Sequence, residues 1–314
     1  MTSSCCAECG NEGGVSLKAC MSCMQVKYCN AICQKNHWAT HKNICKVRAA
    51  ELRDEALFKD PPAKEECPIC FLPMPLKLIC CVSLPPATIS SVPIYDFAKA
   101  NEEFAKKATD QYYSCCGKSI CGGCIYCFRK SENDDYCPFC KAEISGKTEK
   151  VEELMKRAEA NDASVMNLLG SWYYHGEGGV QQDQLKAMEL RTQAANLGSS
   201  QAHYHLGYEY RQRGELKKAK FHYEAAAMAG QEVARFNIGG SEYSSGNIER
   251  AIKHWTIGAS AGDYMAMKNL RAFFEEGVVS RESIDSTLTA YNNSCLEMRS
   301  EARDACIRLS IDRN

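Results

Sequence analysis

Of the 21 cysteines in this 314-residue chain, 19 fall between Cys5 and Cys140; only Cys295 and Cys306 lie beyond. Cysteines scattered through an ordinary apolar core do not segregate in this way. The opening, Met1-Thr2-Ser3-Ser4-Cys5-Cys6, has neither the charged nor the apolar region of a secretion signal. No apolar run approaches the roughly 20 residues needed to span a bilayer. The expected setting is therefore intracellular, cytoplasmic or nuclear, where thiols stay reduced. Closely spaced cysteine pairs in such a setting point to metal ions as the agent that folds them.

The rest of the composition is that of a globular protein, with 45% hydrophobic and 25% charged residues. The length allows two or three domains. A formal net charge of -1 supplies no global field to recruit nucleic acid or an anionic membrane, and neither is expected as a partner.

The first thiol series runs Cys6-x2-Cys9, Cys20-x2-Cys23, Cys29-x3-Cys33 and His41-x3-Cys45. A two-residue gap turns two thiolates back on one ion through a tight knuckle. A three-residue gap does so on a helix, where positions i and i+4 share a face. Eight ligands in four pairs make two tetrahedral sites. Over its full span the series resembles the MYND finger, and Tyr28, Gln34 and Trp38 also match that family. The resemblance implies interleaved sites: Cys6, Cys9, Cys29 and Cys33 on one ion, and Cys20, Cys23, His41 and Cys45 on the other. It also implies binding of short proline-containing peptides. Six basic residues between Lys18 and Arg48 outnumber Glu8 and Glu12. The thiolate-rich zinc sites offset most of that excess, so no nucleic-acid surface is expected here.

The second series opens with Cys67-Pro68-Ile69-Cys70 and continues with Cys115-Cys116-Gly117-Lys118-Ser119-Ile120-Cys121-x2-Cys124. It closes with Cys137-Pro138-Phe139-Cys140. This resembles a RING finger in an all-cysteine variant. The resemblance implies one ion on Cys67, Cys70, Cys121 and Cys124, and a second on Cys116, Cys137 and Cys140. Lys118 occupies the usual histidine position and cannot ligate while protonated. The missing fourth thiol is assigned to Cys115 on proximity, with Cys80 and Cys81 as more distant alternatives. Four Zn2+ ions, two per finger, are thus expected, and Cys127 is read as a spare. In active RINGs the positions of Ile69 and Pro138 contact a ubiquitin-conjugating enzyme; Lys141 stands where an arginine often clamps ubiquitin. Lysine lacks that planar fork of donors. Between the halves, Val82 to Pro93 reads as a loop and Ile94 to Thr109 as a helix.

Beyond residue 150 the chain repeats itself. Ala194-Ala195-Asn196-Leu197-Gly198 recurs as Ala226-Ala227-Met228-Ala229-Gly230 and as Gly258-Ala259-Ser260-Ala261-Gly262. Leu206-Gly207 recurs as Ile238-Gly239, and Leu169-Gly170 precedes it at a longer step that holds an extra turn, His175 to Val180. Small residues at fixed places let helices approach closely, and the glycines end helices in a left-handed cap. The pattern resembles the Sel-one-like repeat, a relative of the tetratricopeptide repeat, which implies antiparallel helix pairs stacked into a superhelix. Tyr173, Tyr174, Tyr204, Tyr208 and Trp255 read as packing residues, and Glu282 to Leu309 as one long capping helix. This half is expected to keep its helices when metal is withdrawn.

The expected fold is multidomain: two small zinc-stabilised α+β modules followed by an all-α helical-repeat solenoid. The boundaries read as a finger at 1–46, a helical linker at 47–62 and a RING-like finger with a helical insertion at 63–145. The repeats follow at 150–279, with the cap at 280–314. No nucleophile–base pair, phosphate loop or open metal site is present, so no catalytic residue is assigned. A protein-interaction adaptor is the expected function. The alternative is a RING-type ubiquitin ligase whose repeats recruit substrate.

Overall fold

A computed structural model of the chain describes residues 5–11, 16–74, 111–113, 115–131, 135–143 and 147–304. The loop and helix expected between Val82 and Thr109, together with Cys80, Cys81 and Cys306, lie outside these residues.

The first compact unit ends at Lys59. Strands β1 (Lys18–Ala19) and β2 (Lys27–Tyr28) pair antiparallel, with Lys18 opposite Tyr28. Helix α1 (Ala31–Leu57) follows at once. Asn30 caps it, its side chain accepting from the Cys33 N–H at 2.9 Å. The core around the thiols is Cys6, Cys20, Cys23, Tyr28 and Cys45, with Ala7, Leu17 and Val26 only partly buried against it. Burial of that kind contributes little hydrophobic stabilisation, so the thiols themselves must be tied together. The reading of a finger ending at residue 46 and a helical linker beyond it meets one continuous helix here. Alanine, leucine and charged residues from Ala49 to Leu57 give the chain no reason to stop at Cys45.

The second unit begins at Asp60 and holds both the second cysteine module and the repeats. In the module, β3 (Gln111–Tyr113) pairs antiparallel with β4 (Lys118–Ile120), and α2 (Gly122–Lys130) follows Cys121. Tyr113, Ile120 and Ile125 pack with Cys67, Cys121 and Cys137.

After α3 (Lys147–Glu159) come helix pairs: α4 (Ala163–His175) with α5 (Gln184–Asn196), α6 (Ser200–Gln212) with α7 (Leu216–Met228), and α8 (Glu232–Ser244) with α9 (Ile248–Ser260). Helix α10 (Tyr264–Glu275) packs on α9, and α11 (Arg281–Glu297) lies against α9 and α10. The pairs are close because a glycine sits at the same place in each first helix. A Cβ on Gly170, Gly207 or Gly239 would come within 2.9, 2.8 or 2.4 Å of Arg191, Tyr223 or Trp255 respectively. Those three contacted residues are themselves spaced 32 apart in the sequence, so glycine and partner form a recurring lock. Gly198, Gly230 and Gly262 take the left-handed cap, with φ of 90°, 88° and 98°.

Two sequence expectations change. Tyr208 is 40% exposed, whereas Tyr173 and Trp255 are buried. The long C-terminal helix is interrupted: α11 ends at Glu297 and the chain re-enters helix at 301–304. Ser300 causes the second start, its hydroxyl accepting from the Arg303 N–H at 3.3 Å.

The module and the repeats are joined at several points. Tyr112 donates to Asp162 at 2.9 Å, and Arg157 lies over the Tyr112 ring at 5.9 Å. Lys64 Nζ donates to the Ala261 carbonyl at 2.7 Å and to Ser294 Oγ at 2.8 Å.

Candidate metal centres

Four of the five two-residue gaps fold as the same turn, while the fifth, Cys121 to Cys124, lies on the first turn of α2. The N–H groups of Gly10, Met24, Phe71 and Lys141 donate to the carbonyls of Cys6, Cys20, Cys67 and Cys137 at 2.9, 2.8, 2.8 and 3.0 Å. Each of these four residues follows the second cysteine and has positive φ: 69°, 58°, 56° and 60°. Only Gly10 adopts that conformation without strain. The turn bends the two sulfurs of a pair towards one point.

The turns bring sixteen side chains into four groups. They are Cys6, Cys9, Cys29 and Cys33; Cys20, Cys23, His41 and Cys45; Cys67, Cys70, Cys121 and Cys124; and Cys115, Cys116, Cys137 and Cys140. Within each group the donor atoms all lie within 4.8 Å of one another. Cys9 and Cys29 Sγ are 3.7 Å apart, Cys20 and Cys45 3.7 Å, Cys67 and Cys124 3.8 Å, and Cys116 and Cys137 3.6 Å. Tetrahedral zinc with Zn–S bonds near 2.3 Å sets sulfurs about 3.8 Å apart, so the donor sets fit that ion. His41 turns Nε2 towards Cys23 Sγ at 3.3 Å, and its ring stacks on His37, which is bonded to Tyr28 at 2.9 Å. Cys115 Sγ lies 3.4 Å from Cys140 Sγ. Lys118, in the position of the usual RING histidine, sits 4.7 Å over the Phe139 ring.

The electrostatics of the groups call for a cation. The backbone N–H of Cys9 draws the Cys6 thiol down to about 6. At Cys20 burial acts upward, but the N–H of Cys23 and the His41 side chain outweigh it, and that thiol also falls to about 6. Cys67 and Cys137 reach about 7, as backbone N–H groups overcome burial. Their neighbours move oppositely. The Cys29 sulfur pushes Cys33 up to about 12, and burial with Cys20 does the same to Cys45. Thiolates crowded this closely repel one another, and a bound dication removes the conflict.

Three connections were not readable from spacing. The residues after each knuckle carry no signal except at Gly10. Tyr112 and Asp162 lie in different parts of the sequence. Arg303 reaches the third group, donating from Nε to Cys121 Sγ at 3.3 Å and from Nη2 to Cys70 Sγ at 3.5 Å. Cys127 is exposed and stands outside the four groups. Among the described residues no helix is long and apolar enough to cross a membrane.

Fold and donor chemistry together define a protein of cysteine-rich, metal-binding modules joined to an all-α repeat solenoid. More particularly, residues 6–45 match the family model of the MYND finger, and residues 163–199, 200–231 and 233–263 match that of the Sel1 repeat. The chain carries both, and its remaining cysteine groups are compatible with a RING-like module. The finger and the four groups support zinc binding. Among solved structures, a Sel1 repeat protein from Oxalobacter formigenes is 26% identical, with a TM-score of 0.36, covering 39% of this chain and 97% of its own. A protective antigen of uropathogenic Escherichia coli displaying an SLR fold is 20% identical, with a TM-score of 0.39, over 61% of this chain and 43% of its own. An immunity protein from Pseudomonas aeruginosa is 17% identical, with a TM-score of 0.37, over 60% of this chain and 81% of its own.

Proposed function

We propose that this protein is an adaptor that assembles other proteins, with four Zn2+ ions holding its two finger modules in shape. The observation that carries the reading is that each group offers four protein donors. A closed four-donor set leaves no position for substrate or water, which marks structural metal and not catalytic metal. The MYND finger and the Sel1 repeats are interaction modules, supporting protein partners. We take residues 1–46 as the first finger, 47–62 as its helical linker, 63–145 as the RING-like module, 150–279 as repeats and 280–314 as their cap. The peptide partner of the finger would be proline-containing, with Trp38, 42% exposed, available to meet it. Two measurements on the full chain test this. Native mass spectrometry should find four zinc ions per chain. Calorimetric titration with a proline-containing peptide should show binding that a proline-to-alanine peptide lacks; equal heats from both would sink the peptide assignment.

A second reading, ubiquitin ligation, is favoured by one feature: Ile69, on the first knuckle of the RING-like module, is 40% exposed. With Pro138 it would seat a ubiquitin-conjugating enzyme and hold its thioester in a reactive pose, an effect of positioning alone. Single-turnover discharge of ubiquitin from charged conjugating enzymes decides between the readings. Acceleration by wild type that Ile69→Ala loses establishes the ligase, and no acceleration by zinc-loaded protein leaves the adaptor.

A further inference from the structure

We infer that Arg303, from the far side of the repeats, is a working part of the third metal group. Its side chain is buried, at 5% exposure, and all three of its guanidinium nitrogens are engaged. Nε donates to Cys121 Sγ at 3.3 Å, and Nη2 to Cys70 Sγ at 3.5 Å and the Leu72 carbonyl at 3.4 Å. Nη1 donates to the carbonyls of Pro73 at 2.8 Å and Met298 at 2.6 Å. Among the described residues no carboxylate forms an ion pair with it. A buried guanidinium needs an anion, and the two sulfurs are what the structure supplies.

The contact is built by the backbone as well. A Cβ on Gly123, at the start of α2, would lie 2.6 Å from Arg303 Cγ and 2.7 Å from the Arg303 backbone nitrogen. Glycine at that position lets the C-terminal segment lie directly on the group. Ser300 fixes the turn that presents the arginine.

The inference rests on the zinc reading given above. A dication held by four thiolates keeps two net negative charges, and a forked donor on two of the sulfurs removes one. Arg303 thereby lowers the reactivity of Cys70 and Cys121 and ties metal retention in the finger to docking of the segment after α11. It is a positioning residue that touches ligands, not the ion.

The test compares full-length wild type, Arg303→Gln, Arg303→Lys and Gly123→Ala. Zinc release to a colorimetric chelator is followed alongside alkylation of each thiol, mapped by mass spectrometry, with circular dichroism reporting the fold. Arg303→Gln should speed loss of one ion in four, and alkylation of Cys67, Cys70, Cys121 and Cys124, by roughly 10–100-fold, the usual effect of losing an outer-sphere partner. The other three groups should keep their rates. Arg303→Lys retains charge without the fork and should fall between; Gly123→Ala should act like Arg303→Gln by pushing the segment away. If Arg303→Gln fails to fold, the lysine and Gly123 variants decide the matter. Rates unchanged in the variants, or raised equally at all four groups, would overturn the inference while leaving the zinc reading intact. Wild-type Cys70 and Cys121 alkylated as fast as exposed Cys127 would instead overturn the zinc reading at this group, and the inference with it.

Discussion

The Tyr112 hydroxyl donates to Asp162 Oδ2 at 2.9 Å, joining a strand of the second cysteine module to the cap of a repeat helix. Asp162 Oδ1 accepts from the N–H groups of Ser164 and Val165 at 3.2 Å, and Arg157 donates to Oδ2 from Nε and Nη2. One carboxylate thus serves the helix start and the junction together.

Tyr112→Phe should therefore destabilise the second unit by about 1.5–3 kcal/mol, the range for a hydrogen bond to a charged group. Burial pushes the Asp162 carboxyl up, but Tyr112 and Arg157 outweigh it and hold it below the usual aspartate range. Its contribution is full above the unfolded value and is lost as pH falls through the lower folded one. Urea melts of wild type and Tyr112→Phe at neutral and acid pH would show the difference shrinking on acidification. A constant difference would place the stabilisation elsewhere.

Arg191 and Glu209 form an ion pair in the solenoid, with both side chains nearly sealed from solvent. Arg191 also donates to Ser171 Oγ at 3.2 Å. Arg191→Met strands a buried carboxylate and should cost about 3–5 kcal/mol. Replacing both partners, Arg191→Met with Glu209→Leu, should recover most of that loss in a double-mutant cycle.

Asp263 gives a pH dependence of the opposite sign. It caps α10 through the Ala266 N–H at 2.9 Å, yet burial pushes its carboxyl from 3.8 up to about 6. The folded state therefore binds the proton more tightly, and stability falls as pH rises from about 4 through about 6. Asp263→Asn keeps a capping oxygen and removes the charge. It should raise stability at pH 7.5 by up to about 3 kcal/mol and flatten this part of the profile. A melt unchanged at pH 7.5 would refute it.

The grouping of the thiols was legible because ligand spacing is a local geometric demand: Cys67 and Cys70 must turn back on one point whatever surrounds them. The repeat was legible for a similar reason, since Gly207 and Gly239 mark where a second helix must come close. The interruption after α11 was not, because the apolar pattern around Leu296 and Met298 runs on and Ser300 acts only through its own side chain. Nor were Met24, Phe71 and Lys141 legible as left-handed residues, since nothing in their chemistry favours φ near 60°. The contacts of Arg303 and Tyr112 depend on how distant segments meet, which no local pattern encodes.

Helix and metal should also be coupled. The repeats are expected to keep their helices when zinc is withdrawn, but because the module and the repeats share one compact unit their melting midpoint should fall. Loss of about 2 kcal/mol of junction stability would move the midpoint of the helical transition by roughly 4–8 °C in a unit of this size. Circular dichroism melts with and without a strong zinc chelator measure it. An unmoved midpoint would mean that the module and solenoid melt independently.

The bond from Arg303 to the Pro73 carbonyl spans 230 positions of chain. At synthesis rates of about 5–20 residues per second, the arginine leaves the ribosome roughly 10–50 s after the carbonyl it meets. For that interval Cys70, and for most of it Cys121, which lies 182 positions before the arginine, are nascent thiols without their guanidinium, open to oxidants and to chaperones. The vulnerable moment in the life of this finger is its own translation.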